Sequence, residues 1–168
     1  MPGLEAEIAR LVREYQARTG KLVTVGTVES ATGGRIADRM TNVPGSSDYF
    51  KGSVVAYSNE VKVVVVGVKE ATIESYGAVS KQIAVEMAQG GRKLLNVDIC
   101  ISDTGIAGPS GGSADKAVGL FYLGLAAGDE SFSQKYVFSG TREENKRDAA
   151  EAALAMLREY LLRCIEAR

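Results

Sequence analysis

The sequence predicts a three-layer α/β/α domain in which helices cover both faces of a mixed β-sheet. Apolar segments with helical spacing alternate along the chain with short β-branched segments, the pattern of helices packed on a largely parallel sheet. Two strand-like segments follow each other directly near the end, which predicts an antiparallel hairpin and therefore a mixed sheet. The length of 168 residues fits one domain, residues 1–168, with a single substantial core.

The first elements are predicted to be a helix, a strand and a second helix. Apolar residues recur at helical spacing from Leu4 to Tyr15, and Gly20 ends that helix. Residues 21–28 are rich in β-branched side chains and predict a strand. A turn of small residues, 29–34, then leads into a short helix from Arg35 to about Met40. Strand, glycine turn and helix form the layout of an anion-binding helix N-terminus, with an ordinary βα turn as the alternative.

The remaining elements follow from the same signals. A strand is predicted at 54–56, and Asn59 followed by Glu60 predicts the start of a short helix, although the valines after Lys62 favour a strand. Thr141 and Glu144 have the spacing of a capping box. Further helices are predicted at 69–76, after Ser80 and from Thr141 to about Arg163, and further strands at 97–102, 118–127 and 131–138. The strand at 97–102 carries one charge and no glycine, which predicts a central position.

Composition narrows the classes of function. A net charge of -1 gives no overall positive field for nucleic acid or anionic membranes, and no apolar run is long enough to cross a membrane. The first residues carry acidic groups and no continuous apolar segment, unlike a secretory signal, so we expect a cytoplasmic protein. With two separated cysteines, no histidine and no clustered carboxylates, we expect buried free thiols at Cys100 and Cys164, no metal and no cofactor.

The polar stretch from Gly45 to Lys62 holds the groups for nucleophilic chemistry. The chain has no histidine, so imidazole cannot be the base. A serine activated by a lysine is the next most plausible pair, and the stretch holds Ser46 and Ser47 before its strand and Tyr57 and Lys62 after it. A serine after Pro-Gly ordinarily forms a turn, and a lysine ordinarily lies at the surface, so both alternatives stay open.

Two glycine-rich loops and one helix start are expected to meet this stretch at one edge of the sheet. The loops are 30–34 and 104–112, and the helix starts at Thr141-Arg142. Ligands of α/β sheets bind at the carboxyl ends of strands, where backbone N–H groups of such loops can bind an anion. Neither loop matches a Walker A or GxGxxG pattern. The sequence therefore predicts one pocket formed by these segments and the polar stretch.

The chain contains the run ESATGGRIADRMTNVPGSSDYF, followed by VVAYSNEVK, GAVS, TGIAGPSGG and GTR, and in this it resembles the CinA C-terminal domain family. The resemblance extends from about Leu4 to Leu162 and includes several motifs in the family's order. It implies nicotinamide mononucleotide deamidase activity, which converts the amide to nicotinic acid mononucleotide and ammonia in pyridine nucleotide recycling. It also implies a chain of this domain alone, without the molybdopterin-binding-like domain of longer relatives.

Matched residue by residue, the resemblance implies a site with catalytic and substrate-binding groups. The catalytic residues are expected to be Ser47 as nucleophile, Lys62 as base, and Tyr57 and Thr104 as assisting groups, while Ser30 and Ser46 stay open as alternative nucleophiles. The substrate-binding residues are expected to be Ser30, Thr32, Gly33, Gly34, Ser46, Gly105, Gly108 and Arg142. Arg142 is expected to hold the phosphate.

The expected partner is therefore a small molecule, nicotinamide mononucleotide, and neither nucleic acid nor a membrane. A homodimer or a higher homo-oligomer is the expected assembly. Two other classes of function stay open: a module that binds a nucleotide without converting it, and a regulatory or interaction subunit of another enzyme. Ammonia release from nicotinamide mononucleotide distinguishes them from the enzyme.

Overall fold

The computed structural model describes every residue from Met1 to Arg168. The helices are α1 (Leu4–Thr19), α2 (Arg35–Thr41), α3 (Asn59–Val61), α4 (Glu70–Tyr76), α5 (Lys81–Leu95) and α6 (Arg142–Glu166). The strands are β1 (Val25–Glu29), β2 (Phe50–Val55), β3 (Ile99–Gly105), β4 (Leu120–Ala127) and β5 (Glu130–Val137). A 3-10 turn, Ser46–Asp48, precedes β2, and a π-helical turn, Lys62–Val66, continues α3. We call the latter the π turn.

The five strands form one mixed sheet in the order β2-β1-β3-β4-β5. β1 pairs in parallel with β2 and β3, while β4 runs antiparallel to both β3 and β5. The prediction of a central strand near 97–102 is confirmed, because β3 occupies the middle of the sheet. The carboxyl ends of β1, β2 and β3 consequently lie at one edge, where ligands bind in sheets of this kind.

Helices cover both faces of the sheet, which confirms the predicted three-layer α/β/α fold. α1 and α6 pack on each other and form the larger core with one face, through residues such as Leu11, Ile101 and Leu157. α5 packs on the other face, where Met87 lies against Val28 and Cys100. Gly91 permits this contact, since a Cβ there would lie 2.2 Å from Val28 Cγ2.

The local signals for helix ends and for the hairpin are confirmed. Gly20 ends α1 at a φ of 76°, and Ser80 caps α5 by accepting a hydrogen bond from the Ile83 N–H. The capping box at the start of α6 has both of its hydrogen bonds: the Thr141 side chain accepts the Glu144 N–H, and the Glu144 side chain accepts the Thr141 N–H. The hairpin is also confirmed, with β4 and β5 joined at residues 128–129.

Three local expectations need correction. The strand predicted at 54–56 is β2, which begins at Phe50 and ends at Val55. The predicted strand at 21–28 begins only at Val25, because Thr24 instead donates its N–H and hydroxyl to the Asp98 carboxylate. Cys100 is buried as expected, but Cys164 is partly exposed near the end of α6. No helix combines the length and the apolar composition that a membrane span needs.

Candidate active site

A cavity of about 260 Å³ opens at the carboxyl edge of the parallel strands. Its walls come from the turn after β1, the start of α3, the segment before α5, the loop after β3 and the start of α6. It brings together six residues predicted for the site: Ser30, Tyr57, Lys62, Thr104, Gly105 and Arg142. The cavity is also lined by residues that were not predicted for the site, among them Ala31, Asn59, Ser110 and Gly111.

Lys62 and Ser30 form the polar centre of this cavity. The Lys62 side chain is buried, its residue being 2% exposed, and its Nζ lies 3.0 Å from Ser30 Oγ. Lys62 Nζ also donates to the Tyr57 carbonyl oxygen at 3.1 Å. Burial lowers the pKa of the Lys62 amine, and the charge of Asp103 opposes that effect in part. A neutral amine at this distance can accept the serine proton, so the pair has the parts of an activated nucleophile.

The local backbone places Lys62 through an irregular helix. Ser58 caps α3 by accepting a hydrogen bond from the Val61 N–H at 3.1 Å. The valine run after Lys62 then forms the π turn, which Gly67 closes at a φ of 85° with its N–H on the carbonyls of Lys62 and Val63. The helix predicted from Asn59 is therefore present but distorted by the β-branched residues. Such π turns occur often at functional sites.

Ser30 lies on a sharp turn between β1 and α2. Its backbone N–H donates to Asp103 Oδ1 at 3.0 Å, and its carbonyl accepts from the Gly33 N–H at 3.1 Å. The N–H of the next residue, Ala31, makes no hydrogen bond within the protein, and Ala31 lines the cavity. A serine between a strand and a helix, followed by a free N–H, has the layout of a nucleophile elbow with an oxyanion donor.

Ser47 does not lie in the cavity, which corrects the predicted Ser47–Lys62 pair. Ser47 is exposed in the 3-10 turn before β2, whereas Lys62 follows the other end of that strand. A strand advances about 3.3 Å per residue, so β2 separates the two residues by on the order of 20 Å. Ser46 lies at the same distant edge, where its N–H donates to the Val43 carbonyl. Among the three candidate serines, only Ser30 contacts Lys62.

Arg142 and Tyr57 close one side of the cavity. The Arg142 guanidinium donates to the Gly108 carbonyl at 2.8 Å and to the Tyr57 hydroxyl at 3.1 Å. Gly108 can present its carbonyl in this way because its φ is 85°, a conformation that favours glycine. Gly108 thus contributes to the site through Arg142, and the phenol of Tyr57 faces Arg142 rather than a serine.

Thr104, which is expected to assist catalysis, uses its hydroxyl proton on a backbone carbonyl. It lines the cavity, but its hydroxyl donates to the Ala78 carbonyl at 2.7 Å. A hydroxyl has one proton, so Thr104 is an acceptor and not a free donor toward the cavity. Gly105, the next residue, is required sterically because a Cβ there would lie 2.3 Å from Phe121 Cδ1.

The turn residues Thr32, Gly33 and Gly34, which are expected to bind the substrate, do not line the cavity. The Glu29 carboxylate occupies the start of α2 instead. It accepts the backbone N–H groups of Gly34 at 3.1 Å and of Ile36 and Ala37 at 2.9 Å. The helix N-terminus predicted to bind an anion therefore already holds a carboxylate of this chain.

Two buried acids at the site, Glu29 and Asp103, were not predicted from the sequence. Both are 0% exposed. Burial raises the pKa of Asp103 to about 6, and the nearby charge of Glu29 acts in the same direction. Each acid is the one charged residue of its strand segment, VTVGTVE or ICISDTG, and an acid at such a position is the signal that could have revealed them.

Known proteins resemble this chain along most of its length. The sequence model of the CinA C-terminal domain matches residues 5–161. The chain is 42% identical over 159 residues to the CinA-like protein of Sulfurihydrogenibium sp. strain YO3AOP1, which covers 95% of this chain and 38% of that protein. Across the curated relatives that we compared, it spans between 32% and 38% of their length.

Solved structures share the fold. The competence/damage inducible protein CihA of Agrobacterium tumefaciens superposes with a TM-score of 0.84 at 34% identity, over 94% of this chain and 95% of that one. A CinA superfamily protein of Klebsiella pneumoniae superposes with a TM-score of 0.86 at 28% identity, over 96% and 99% of the two chains.

Proposed function

The chain belongs to the CinA C-terminal domain family, and we propose that it hydrolyses the carboxamide of nicotinamide mononucleotide to nicotinic acid mononucleotide and ammonia. The observation that carries this proposal is the buried Lys62 amine 3.0 Å from the Ser30 hydroxyl. A module that only binds a nucleotide needs no buried base beside a serine. The Ser30–Lys62 pair replaces the pair with Ser47 that the sequence suggested.

The first half of the proposed reaction forms an ester on Ser30. The Ser30 hydroxyl attacks the carboxamide carbon and gives its proton to neutral Lys62, and the carbonyl electrons move onto the oxygen. The free Ala31 N–H is the proposed donor to that oxyanion. The Lys62 ammonium then gives its proton to the amide nitrogen, the C–N bond breaks and ammonia leaves.

The second half restores the serine. Water attacks the ester carbon while Lys62 accepts one of its protons, and the tetrahedral intermediate again places its oxyanion at Ala31. The C–O bond to Ser30 breaks, and Lys62 returns the proton to the Ser30 oxygen. Amide and water have then become carboxylic acid and ammonia, with no other reactant.

The phosphate is proposed to bind between Arg142 and the loop after β3. Arg142 has five N–H donors and uses only two of its nitrogens on Gly108 and Tyr57, so donors remain for an anion. Ser110 and Gly111 line the same cavity as Arg142. A guanidinium can bind a phosphate through two parallel hydrogen bonds, which favours a nucleotide over a nucleoside.

Product analysis tests the proposed function. Purified protein is mixed with nicotinamide mononucleotide, and ammonia and nicotinic acid mononucleotide are quantified together. We expect equal amounts of the two products from the wild type and almost none from Lys62→Met. Tight nucleotide binding without either product would favour the alternative of a non-catalytic module.

We further propose that residues 1–168 act as one domain in the cytoplasm and assemble as a homodimer or a higher homo-oligomer. Closed homodimers are the commonest form among soluble oligomers. Light scattering on the eluting protein measures the mass, and the mass of a single chain would rule out the assembly.

A further inference from the structure

Two fully buried carboxylates meet beneath the turn that carries Ser30. Glu29 ends β1 and Asp103 lies in β3, and the Thr32 hydroxyl lies between them. Thr32 Oγ1 is 2.7 Å from Glu29 Oε1 and 2.5 Å from Asp103 Oδ1. A threonine hydroxyl has one proton and can donate to only one of these oxygens. When both contacts are hydrogen bonds at the same time, the other oxygen contributes a proton of its own.

The contacts of the two acids indicate which one is protonated. Glu29 accepts three backbone N–H groups at the start of α2, and the hydroxyls of Thr27 and Ser53 lie 3.1 and 3.3 Å from its Oε2. Asp103 accepts only two backbone N–H groups. The anion is better stabilised on Glu29, so the proton belongs on Asp103 Oδ1. Asp103 then donates to Thr32, and Thr32 donates to Glu29.

We propose that Glu29, Thr32 and Asp103 share one proton and that this buried cluster positions Ser30 for reaction. Asp103 accepts the N–H of Ser30 at 3.0 Å and that of Thr32 at 3.1 Å. It therefore fixes the backbone on both sides of Ala31, the proposed oxyanion donor. The catalytic part of this inference rests on the proposed function, while the shared proton does not. Asp103 is thus a positioning residue that does not touch the substrate.

The cluster also acts on the charge of Lys62. Asp103 interacts with two charged groups. The charge of Glu29, in β1, raises the pKa of Asp103. The charge of Asp103 in turn raises the pKa of Lys62, in the π turn. With a pKa of about 6, Asp103 holds its proton below that pH and becomes an anion above it. The Asp103 anion raises the pKa of Lys62 and so opposes the effect of burial. Removing this charge should make Lys62 lose its proton more readily.

A carboxyl titration tests the shared proton directly. Protein labelled with 13C at the aspartate carboxyls is followed by NMR as the pH changes, in the wild type, Thr32→Val and Asp98→Asn. We expect one aspartate to titrate near pH 6. Its titration should shift in Thr32→Val, because valine removes the hydroxyl that accepts the Asp103 proton. Asp98→Asn should remove a different signal and leave this one in place.

This titration decides the question whether or not the protein is an amidase. If every aspartate titrates near the ordinary value of about 3.9, the shared proton is refuted. The shared proton is also refuted if Thr32→Val leaves every aspartate titration unchanged. Thr32→Val keeps the side-chain shape and both backbone hydrogen bonds to Asp103, so the test does not depend on a variant that loses the turn.

Kinetics test the positioning role. Asp103→Asn should lower kcat by about 100-fold with little change in KM, because a small displacement of a reacting group has an effect of that size. Its pH–rate profile should also rise at lower pH than in the wild type. Asp98→Asn, which removes an acid bonded to Thr24 at the other edge, should change neither. An unchanged pH profile in Asp103→Asn, or an unchanged kcat, would overturn the positioning role.

Discussion

Lys62 Nζ lies 3.0 Å from Ser30 Oγ, although 32 positions separate these residues in the chain. The parallel pairing of β1 and β2 produces this contact, because Glu29 is in register with Val55 where the two strands end. Ser30 follows the first of these strands directly, and the turn after the second carries Lys62 back to it. The pair is therefore a product of the sheet and not of local sequence.

Turnover should rise with pH as Lys62 loses its proton. Burial lowers the pKa of this amine, so the increase in kcat should occur below pH 10.5, the pKa of an exposed lysine. The measurement is kcat across a pH series in which the protein stays folded by circular dichroism. A profile without a rise, or one that rises only at the exposed-lysine value, would argue against Lys62 as the base.

Lys62→Met should stabilise the protein at neutral pH while it abolishes turnover. The folded state holds the Lys62 proton less tightly than the unfolded state, so the wild type becomes more stable as pH rises from the folded pKa toward 10.5. Below that window the buried ammonium lowers the free energy of unfolding, and methionine removes this effect. We expect a gain of about 1 kcal/mol in urea unfolding at pH 7.

Lys69→Met is the matched control for this urea-unfolding measurement, since Lys69 is exposed. It should change the free energy of unfolding by less than about 0.5 kcal/mol. A loss of stability in Lys62→Met would show that the amine stabilises the folded protein, contrary to its lowered pKa.

Ser30→Ala and Lys62→Met should not be additive. Each should lower kcat by on the order of 1,000-fold or more, and the double variant should be scarcely slower than either, because nucleophile and base act as one unit. Single-turnover rates of the three variants provide the comparison. If the fold-loss in the double variant equalled the product of the two single losses, the two residues would act independently.

Arg142→Lys should raise KM for nicotinamide mononucleotide by about tenfold, because lysine cannot form the paired hydrogen bonds of a guanidinium. The effect should be much smaller for nicotinamide riboside, which lacks the phosphate. Arg147→Lys is the control, since Arg147 is exposed on the same helix and bonds only Asp148. Equal effects of Arg142→Lys on both substrates would place its role outside phosphate binding.

Local signals in the sequence predicted the features that local chemistry determines. The Ser80 cap, the Thr141–Glu144 capping box and the hairpin each depend on neighbouring residues, and all three are present. The distorted helix at Lys62 was only half predicted, because helix-starting and β-branched signals conflict there. The structure resolves the conflict with a π turn that buries Lys62 and Val66.

The proposed nucleophile could not be assigned from closeness in sequence. Ser47 is nearer to Lys62 along the chain, but a whole strand lies between them, and this alone predicts that they occupy opposite edges of the sheet. Selecting Ser30 as the partner of Lys62 requires knowledge of the strand order, which the sequence does not show. Glu29 and Asp103 were missed for a related reason, since only the packed structure shows that both are buried and bridged by Thr32.

The most direct test compares ammonia release from nicotinamide mononucleotide by the wild type, Ser30→Ala and Ser47→Ala under identical conditions. Because Ser30 contacts Lys62 and Ser47 lies at the far edge of the sheet, Ser30→Ala should lose at least about 1,000-fold in kcat. Ser47→Ala should stay within about twofold of the wild type, as expected for an exposed turn residue. Normal turnover in Ser30→Ala, or a dead but folded Ser47→Ala, would contradict the account.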